Sequence, residues 1–166
     1  MIDEEKQTST PPPPDRDHAA VVAPPPLIYL VGILLGWGLQ ALRPAAFLPP
    51  ALAPAVGIPL IVAALLLFVL SIREFRRART SVRPDRPTTA IIRTGPYRFS
   101  RNPLYLALSL LHLGIAAWAN SAWLLVTLAF TLGVMSAGVI AREERYLERK
   151  FGEEYRRYRA AVRRWI

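Results

Sequence analysis

The sequence predicts an all-α integral membrane protein with four transmembrane helices and a C-terminal amphipathic helix at the membrane surface. Two observations lead to this fold class. The 166 residues are 52% hydrophobic, yet the chain carries a net charge of +9. The charges are confined to a few blocks, and long apolar stretches without any Asp, Glu, Lys or Arg separate these blocks. A bilayer core requires about 20 apolar residues per helix, which is the length scale of these stretches.

The first 26 residues are predicted to form a disordered, proline-rich tail in the cytoplasm. They hold five acidic and two basic residues, and the runs "TPPPPD" and "APPP" favour extended polyproline conformations over a packed core. The chain starts with acidic rather than basic residues, and no cleavage pattern follows the first apolar run, so a signal peptide is not expected. Residues 27–166 are expected to form the membrane domain.

The predicted spans follow from the charge-free stretches. They cover about residues 27–42, 57–72, 103–119 and 122–141. The second span starts late because four prolines interrupt residues 44–54. The stretch 103–141 is too long for one span, and a turn at Asn120 would divide it, with Trp118 and Trp123 at one membrane interface. Small residues of the last span are expected to allow close helix packing, namely Gly133, Ser136, Ala137 and Gly138.

The distribution of arginine predicts the orientation. The loop 73–102 contains nine arginines against two acidic residues, and the tail 142–166 contains nine basic and five acidic residues. The other connections contain only Arg43. The positive-inside rule therefore predicts that the loop, the tail and the N-terminus lie on the cytoplasmic side of the membrane. The expected location is the inner membrane of a bacterium. Because this bias explains the charge, binding to nucleic acid is not expected.

The C-terminal tail has an apolar stripe at helical spacing. The stripe consists of Leu147, Phe151, Tyr155, Tyr158, Val162 and Trp165. The opposite face is rich in Arg and Glu, so the tail is predicted to be an amphipathic helix at the membrane surface, with a break at Gly152. The chain has no cysteine, which excludes disulfides, thiolate metal sites and cysteine nucleophiles.

One polar cluster precedes the third span. Asn102 is a good helix N-cap and Pro103 suits the first helical position, so "SRNPLY" predicts a helix start. The amides at a helix start attract anionic groups, and Tyr97, Arg98 and Arg101 lie just before it. The alternative for Asn102 is a capping role and nothing more.

Further polar residues lie within and after the hairpin. Glu143 and Glu144 lie where the fourth span leaves the membrane, and they either bind a ligand or form surface ion pairs. His112 shares a helix face with Tyr105 and Ser109, and it is either functional or a hydrogen-bonded residue of the bundle interior. Arginines, carboxylates and aromatic rings together would suit a ligand with a carboxylate, an ammonium group, a ribose and a purine.

These residues resemble the paired motifs of a known enzyme family. The segment "GPYRFSRNPLY" at 95–105 is similar to the pattern G-P-Y-x-x-x-R-H-P-x-Y. The segment "EERYLERKFGEEYRRY" at 143–158 is similar to E-E-x-x-L-x-x-x-F-G-x-x-Y-x-x-Y. Both patterns are typical of isoprenylcysteine carboxyl methyltransferases and the related phospholipid methyltransferases. The resemblance covers about residues 57–166.

The resemblance implies a small membrane methyltransferase that uses S-adenosylmethionine, releases S-adenosylhomocysteine and takes a lipophilic substrate from the surrounding membrane lipids. The motif residues implied to bind the cofactor are Gly95, Pro96, Tyr97, Arg101, Asn102, Pro103, Tyr105, Glu143, Glu144, Leu147 and Tyr155. The candidate catalytic residues are Arg98, Arg101, His112 and Glu143. Asn102 stands where the family usually has histidine, and an amide cannot ionise near neutral pH.

The chemistry of the acceptor decides what these candidates would do. A carboxylate needs only a cation such as Arg98 or Arg101 to position it. An amine or thiol must lose a proton, for which His112 and Glu143 are candidate bases. We therefore expect carboxyl methylation of an isoprenoid-like or other lipophilic carboxylate, without a metal. The alternatives are methylation of phospholipid ethanolamine or of a small-molecule thiol, and a non-catalytic four-helix membrane protein.

Overall fold

Helices make up the fold, and the described residues contain no β-strand. A computed structural model describes residues 19–82 and 87–166. The helices are α1 (Pro25–Leu42), α2 (Leu52–Arg77), a 3-10 turn (Gly95–Arg98), α3 (Pro103–Trp118), α4 (Ala122–Val134), a π-helical segment (Met135–Ile140), α5 (Ala141–Phe151) and α6 (Glu153–Ala161). The disorder expected for residues 1–18 concerns a part of the chain outside the described residues and stays a prediction.

Three helices are long and apolar enough to cross a membrane. They are Pro25–Leu42, Leu52–Arg77 and the continuous rod Ala122–Phe151, which joins α4, the π-helical segment and α5. The fourth apolar helix, Pro103–Trp118, is shorter. Many large apolar side chains of α1 and α2 are exposed, as expected for helix surfaces that contact lipid.

The segment before α1 is packed, in contrast to the disorder expected for residues 19–26. The N–H of Val22 donates to the carbonyl of Gly138 at 3.4 Å, and the guanidinium of Arg142 donates to the carbonyl of Ala20 at 2.7 Å. Ala19 is buried. Pro25 then occupies the first turn of α1. Backbone N–H groups have no intrahelical acceptor there, so a proline removes no helical hydrogen bond. The proline run thus starts a helix and does not extend the tail.

Helix α2 begins at Leu52, earlier than the expected start near Gly57. The expectation treated Pro54 as a helix breaker. Pro54 lies in the first turn, where backbone amides lack intrahelical partners in any case, so a proline costs little there. The helix also continues through Pro59.

A tight turn joins α3 to α4. Asn120 has a positive φ of 49°, and its side chain accepts from the N–H of Leu48 at 2.8 Å and donates to the carbonyl of the same residue at 2.8 Å. Ser121 caps α4 by accepting from the N–H of Leu124. Trp123 donates to the carbonyl of Arg43 at 2.6 Å. The α1–α2 connection and the α3–α4 turn therefore lie at the same end of the bundle.

Glycines allow the closest helix contacts, but they are not the glycines that the sequence suggested. Gly57 of α2 faces the backbone of Trp118, and a Cβ atom there would lie 2.4 Å from the Trp118 nitrogen. A Cβ atom on Gly114 of α3 would lie 2.9 Å from the nitrogen of Ile61. By contrast, a Cβ built on Gly133 would meet no atom of another described element within 4 Å, and Gly138 packs on Val22 of the N-terminal segment.

The C-terminal helices fold back over the start of α3. Gly152, with a φ of 52°, separates α5 from α6 and allows the chain to change direction. Helix α6 buries Tyr155 and Tyr158, and the last residues, 162–166, run beside the segment that precedes α3. This arrangement brings the two sequence motifs together.

Candidate functional site

A cavity opens at the end of the bundle where α3 begins. The empty space within it, including the open solvent at its mouth, is about 870 Å³, of which about 120 Å³ can hold the centres of water molecules. Its walls come from the loop between α2 and the 3-10 turn, from the start of α3, from α5 and from α6. Ala19 completes the wall from the segment before α1.

The cavity unites eight of the site residues that the sequence predicted. These are Tyr97, Arg101, Asn102, Tyr105, Glu143, Glu144, Leu147 and Tyr155. The other five, Gly95, Pro96, Arg98, Pro103 and His112, do not line it. Residues from the two motifs therefore form one site, because the α3–α4 hairpin places the start of α3 beside the start of α5.

Glu143 lies in the cavity wall with one hydrogen-bond donor beside it. The hydroxyl of Tyr105 donates to its Oε1 at 2.6 Å. Among the described residues, no arginine or lysine forms an ion pair with Glu143. A carboxylate in this position has capacity to accept further hydrogen bonds or to pair with a cationic ligand.

Glu144, in contrast, is held by two arginines. The Nε atom of Arg164 donates to Oε1 at 3.0 Å and its Nη2 atom donates to Oε2 at 2.5 Å. Nη2 of Arg101 lies 3.1 Å from Oε1. This carboxylate is therefore neutralised within the protein, which distinguishes it from its neighbour Glu143.

Some hydrogen-bond donors of Arg101 are not used by the described residues. Its side chain is only 10% exposed, and its Nε and Nη1 atoms have no hydrogen-bond partner among the described residues. Buried donors without a partner are unfavourable, so functional sites commonly keep them for a ligand. An anionic group in the cavity would satisfy them.

Asn102 takes the N-cap position of α3, but its side chain does not cap the helix. Its Nδ2 atom donates to the carbonyl of Arg164 at 3.0 Å, and its side chain makes no capping hydrogen bond to the first turn. The amides of Leu104 and Tyr105, two residues of the cavity wall, therefore receive no cap from Asn102. The capping role expected from the residue type is therefore wrong. The side-chain amide of Asn102 bonds to the C-terminal segment instead of the first turn of α3.

Aromatic rings form a further wall. Tyr97 is buried and packs edge-on against Phe75 with ring centroids 5.6 Å apart, and the hydroxyl of Tyr158 donates to the carbonyl of Tyr97 at 2.8 Å. Tyr155 packs against Tyr158 at 6.4 Å. Burial raises the pKa of Tyr97 and of Tyr158 above the ordinary phenol value, so both stay neutral at physiological pH.

The sequence profile of the phospholipid methyltransferase family matches residues 52–154. The chain belongs to this family. Its members are membrane methyltransferases, which confirms the resemblance found in the two motifs. A Haemophilus influenzae protein described as uncharacterized is 51% identical over 65 residues, which is 38% of this chain and 100% of that protein. No solved structure matches the chain at a significant level.

The family match accounts for only part of the cavity. It includes Arg101, Tyr105, Glu143 and Glu144, whereas the cavity residues Tyr155 and Tyr158 follow it. Ala19 precedes it. The cavity wall therefore includes residues on both sides of the matched region.

Two of the predicted residues support the cavity without lining it. Gly95 has a φ of 57°, and a Cβ atom there would lie 3.0 Å from the side chain of Glu74. Glu74 also accepts a short hydrogen bond from Thr94 and pairs with Arg77. Pro96 belongs to the same 3-10 turn, which places Tyr97 in the wall. These residues shape the turn.

Arg98 and His112 lie apart from the cavity. Arg98 is exposed at the end of the 3-10 turn. His112 is fully buried in the bundle, where its Nε2 atom lies 3.4 Å from the hydroxyl of Thr127 and its ring packs edge-on against Tyr29. Its Nδ1 atom has no hydrogen-bond partner among the described residues. Because His112 does not line the cavity, its position favours a residue of the bundle interior over a catalytic base at this site.

Sequence reasoning missed several parts of the site. The loop residues Thr88, Ala90, Ile91 and Ile92 line the cavity, and so do Ala19, Tyr146 and Tyr158. The apolar pair at 91–92 and the aromatic stripe of the tail were the available signals. The sequence did not single out Arg164, because the positive-inside rule already accounts for the basic residues of the tail.

Proposed function

We propose that the protein is an S-adenosylmethionine-dependent methyltransferase that methylates a lipophilic acceptor from the bilayer. One observation carries the proposal: Arg101, with two unpartnered donors, shares an aromatic-walled cavity with Glu143, which lacks a cationic partner among the described residues. A cationic and an anionic group at one site suit a zwitterionic amino-acid moiety, and the rings suit a purine. The family match supports the methyl-transfer chemistry.

The residues present fit the cofactor. When bound, S-adenosylmethionine supplies an activated methyl group on a sulfonium sulfur. Arg101 and the uncapped amides at the start of α3 would hold its carboxylate, since both attract anions. Glu143 would accept hydrogen bonds from its ammonium group or its ribose hydroxyls. Tyr97 and Tyr155 would pack against its adenine.

For the acceptor, we propose a lipophilic carboxylate such as an isoprenoid-like acid. A carboxylate nucleophile is already deprotonated at neutral pH, so the site needs to align it and exclude water without removing a proton. Asn102 occupies the position of the usual family histidine and cannot ionise, which suits an acceptor of this kind. The apolar lining from Ile91, Ile92 and Leu147 would exclude water.

Phosphatidylethanolamine is the second candidate acceptor. The observation that favours it is that the carboxylate of Glu143 has no cationic partner among the described residues, so it could bind an ammonium head group and take its proton. The family description points in the same direction. Both acceptors require the same cofactor cavity.

We further propose that α3 is a fourth span and that the cavity faces the cytoplasm. The 16 residues of α3 are about 24 Å long at 1.5 Å per residue, somewhat short of the roughly 30 Å hydrocarbon core. Pairing with the longer α2 and local thinning of the bilayer would accommodate the difference. The arginine-rich loop and tail lie at the cavity end, which supports the cytoplasmic orientation.

Methyl transfer from a labelled donor tests the function and separates the two acceptors. Membranes that contain the protein are incubated with S-adenosyl-[methyl-14C]methionine, and the lipids are extracted and treated with mild alkali. We expect label that alkali releases as volatile methanol, because methyl esters hydrolyse whereas N-methyl groups do not. Alkali-stable label would assign the amine chemistry instead. Absence of transfer to any lipid, with folded protein, would contradict both.

A further inference from the structure

The last five residues of the chain form part of the structure around the cavity. The backbone N–H of Arg101 donates to the carbonyl of Arg163 at 2.9 Å. The carbonyl of Arg164 accepts from Asn102 at 3.0 Å and from the hydroxyl of Ser100 at 3.4 Å. These contacts fix residues 162–166 against the start of α3. The segment lies beyond residues 52–154, so the family match does not account for it.

The side chain of Arg164 binds both oxygens of Glu144. It does so through its Nε and Nη2 atoms, the edge of a guanidinium that matches a carboxylate. Arg101 reaches the same carboxylate only with Nη2, at 3.1 Å from Oε1. Arg164 therefore occupies the two-point contact that Arg101 would otherwise make with Glu144.

This division leaves Arg101 incompletely paired. Its Nε atom, which would complete a two-point contact with Glu144, has no partner among the described residues, and neither has Nη1. Both atoms are buried, and Arg101 lines the cavity. Without Arg164, Glu144 would have an oxygen free to accept from Nε of Arg101, and the guanidinium would turn from the cavity towards Glu144.

We propose that Arg164 is a positioning residue that occupies Glu144 and thereby keeps Nε and Nη1 of Arg101 available for the carboxylate of the cofactor. The inference rests on the proposed function, since it names the group that Arg101 binds. Arg164 has no contact with the ligand in this account. Its effect on binding is confined to the amino-acid part of the cofactor, because it acts through Arg101.

The test compares two ligands that differ in that part. S-adenosylhomocysteine carries the carboxylate, and 5′-methylthioadenosine lacks the whole amino-acid moiety. Binding of both is measured by calorimetry with the full-length protein in detergent. We expect Arg164→Gln to weaken binding of S-adenosylhomocysteine about tenfold, the effect of losing one charge-assisted hydrogen bond, and to leave 5′-methylthioadenosine within about twofold.

Arg163→Gln is the matched control. It removes the same charge from the neighbouring position, where the described contact uses only the backbone carbonyl, so both affinities should stay unchanged. Arg164→Lys keeps the charge and loses the two-point contact, and it should give the same selective loss if Arg164→Gln does not fold. In a background of Glu144→Gln, replacing Arg164 should have no further effect, because the two residues act together.

The outcomes separate the inference from the function it rests on. Equal weakening of both ligands, or unchanged binding of S-adenosylhomocysteine in Arg164→Gln and Arg164→Lys, would overturn the positioning role. If the folded wild-type protein binds neither ligand, the proposed function fails, and the role of Arg164 fails with it.

Discussion

Glu143 and Glu144 are adjacent in the chain but have different hydrogen-bond and ion-pair partners. Glu144 is neutralised by Arg101 and Arg164, whereas Glu143 receives a hydrogen bond from Tyr105 and no ion pair from the described residues. A carboxylate without a cationic partner can still pair with a ligand, whereas one held by two arginines is already neutralised. This difference is the reason for proposing that Glu143 binds the ligand and that Glu144 supports Arg101.

The first prediction concerns Glu143→Gln. The amide keeps the size of the side chain and can still accept from Tyr105, but it loses the negative charge. We expect binding of S-adenosylhomocysteine to weaken about tenfold in calorimetric titration. Glu153→Gln is the control and should leave the affinity unchanged, since Glu153 is exposed, lies outside the cavity wall and pairs with Arg156. Unchanged affinity in Glu143→Gln would contradict a role in ligand binding and indicate a structural role for Glu143.

The second prediction separates two roles for Asn102. Aspartate is as good an N-cap as asparagine, but it cannot donate a hydrogen bond to the carbonyl of Arg164. If the observed contact is the important one, Asn102→Asp should destabilise the protein by about 1 kcal/mol and make residues 162–166 easier to remove by a carboxypeptidase. Stability equal to wild type in thermal unfolding would favour the capping role instead.

Among the elements, the contact between α2 and α3 is the one most restricted by side-chain size. Gly57 faces the backbone of Trp118, and Gly114 faces that of Ile61. Backbone atoms cannot turn aside as a side chain can, so these glycines set the distance between the two helices. The close approach of the two backbones packs the short helix α3 against the longer helix α2.

The third prediction compares two glycine substitutions. Gly57→Ala would place a methyl group 2.4 Å from the nitrogen of Trp118, and such overpacking should cost about 1–3 kcal/mol. Gly133→Ala meets open space and should be neutral or slightly stabilising. Thermal unfolding in one detergent measures both. Equal midpoints for the two variants would show that the α2–α3 contact is looser than described.

Element boundaries were predictable where charge and turn chemistry defined them. The arginines around each apolar stretch and the Asn120-Ser121 turn define the hairpin of α3 and α4 without any structural information. The start of α2 was less predictable, since the effect of Pro54 depends on whether it lies in the first turn or in the interior. The packing of residues 19–24 on the π-helical segment depends on a tertiary contact, which no local pattern reveals.

For the whole molecule, both bundle ends have defined chemistry. The turns near Arg43 and Asn120 lie together at one end, and the cavity with the arginine-rich segments lies at the other. The proposed topology places the first end outside the cytoplasm and the cavity inside it.

The fourth prediction tests this topology with single cysteines, since the native chain has none. Ala46 and Thr89 are exposed at opposite ends. In bacterial spheroplasts, a membrane-impermeant maleimide should label Ala46→Cys directly and Thr89→Cys only after permeabilisation. Labelling of both without permeabilisation would contradict the single span, α2, that lies between them in the proposed topology, and reversed labelling would invert the orientation.

The candidate site was predictable as two motifs but not as a set of contacts. The sequence brought Arg101 and Glu143 into one hypothesis because both flank a hairpin. It could not distinguish Glu143 from Glu144, since their partners come from the start of α3 and from the C-terminus. It also included His112, because an ionisable residue in a span suggests function until its hydrogen-bond partners are known.

The central claim, a cofactor cavity that contains Arg101, is tested most directly by titrating the purified, folded protein in detergent with S-adenosylhomocysteine. We predict saturable binding at one site per chain, and a loss of about tenfold or more in Arg101→Gln, which removes the donors left for the ligand. Binding that is equally strong in Arg101→Gln, or no binding to the wild type, would contradict the account.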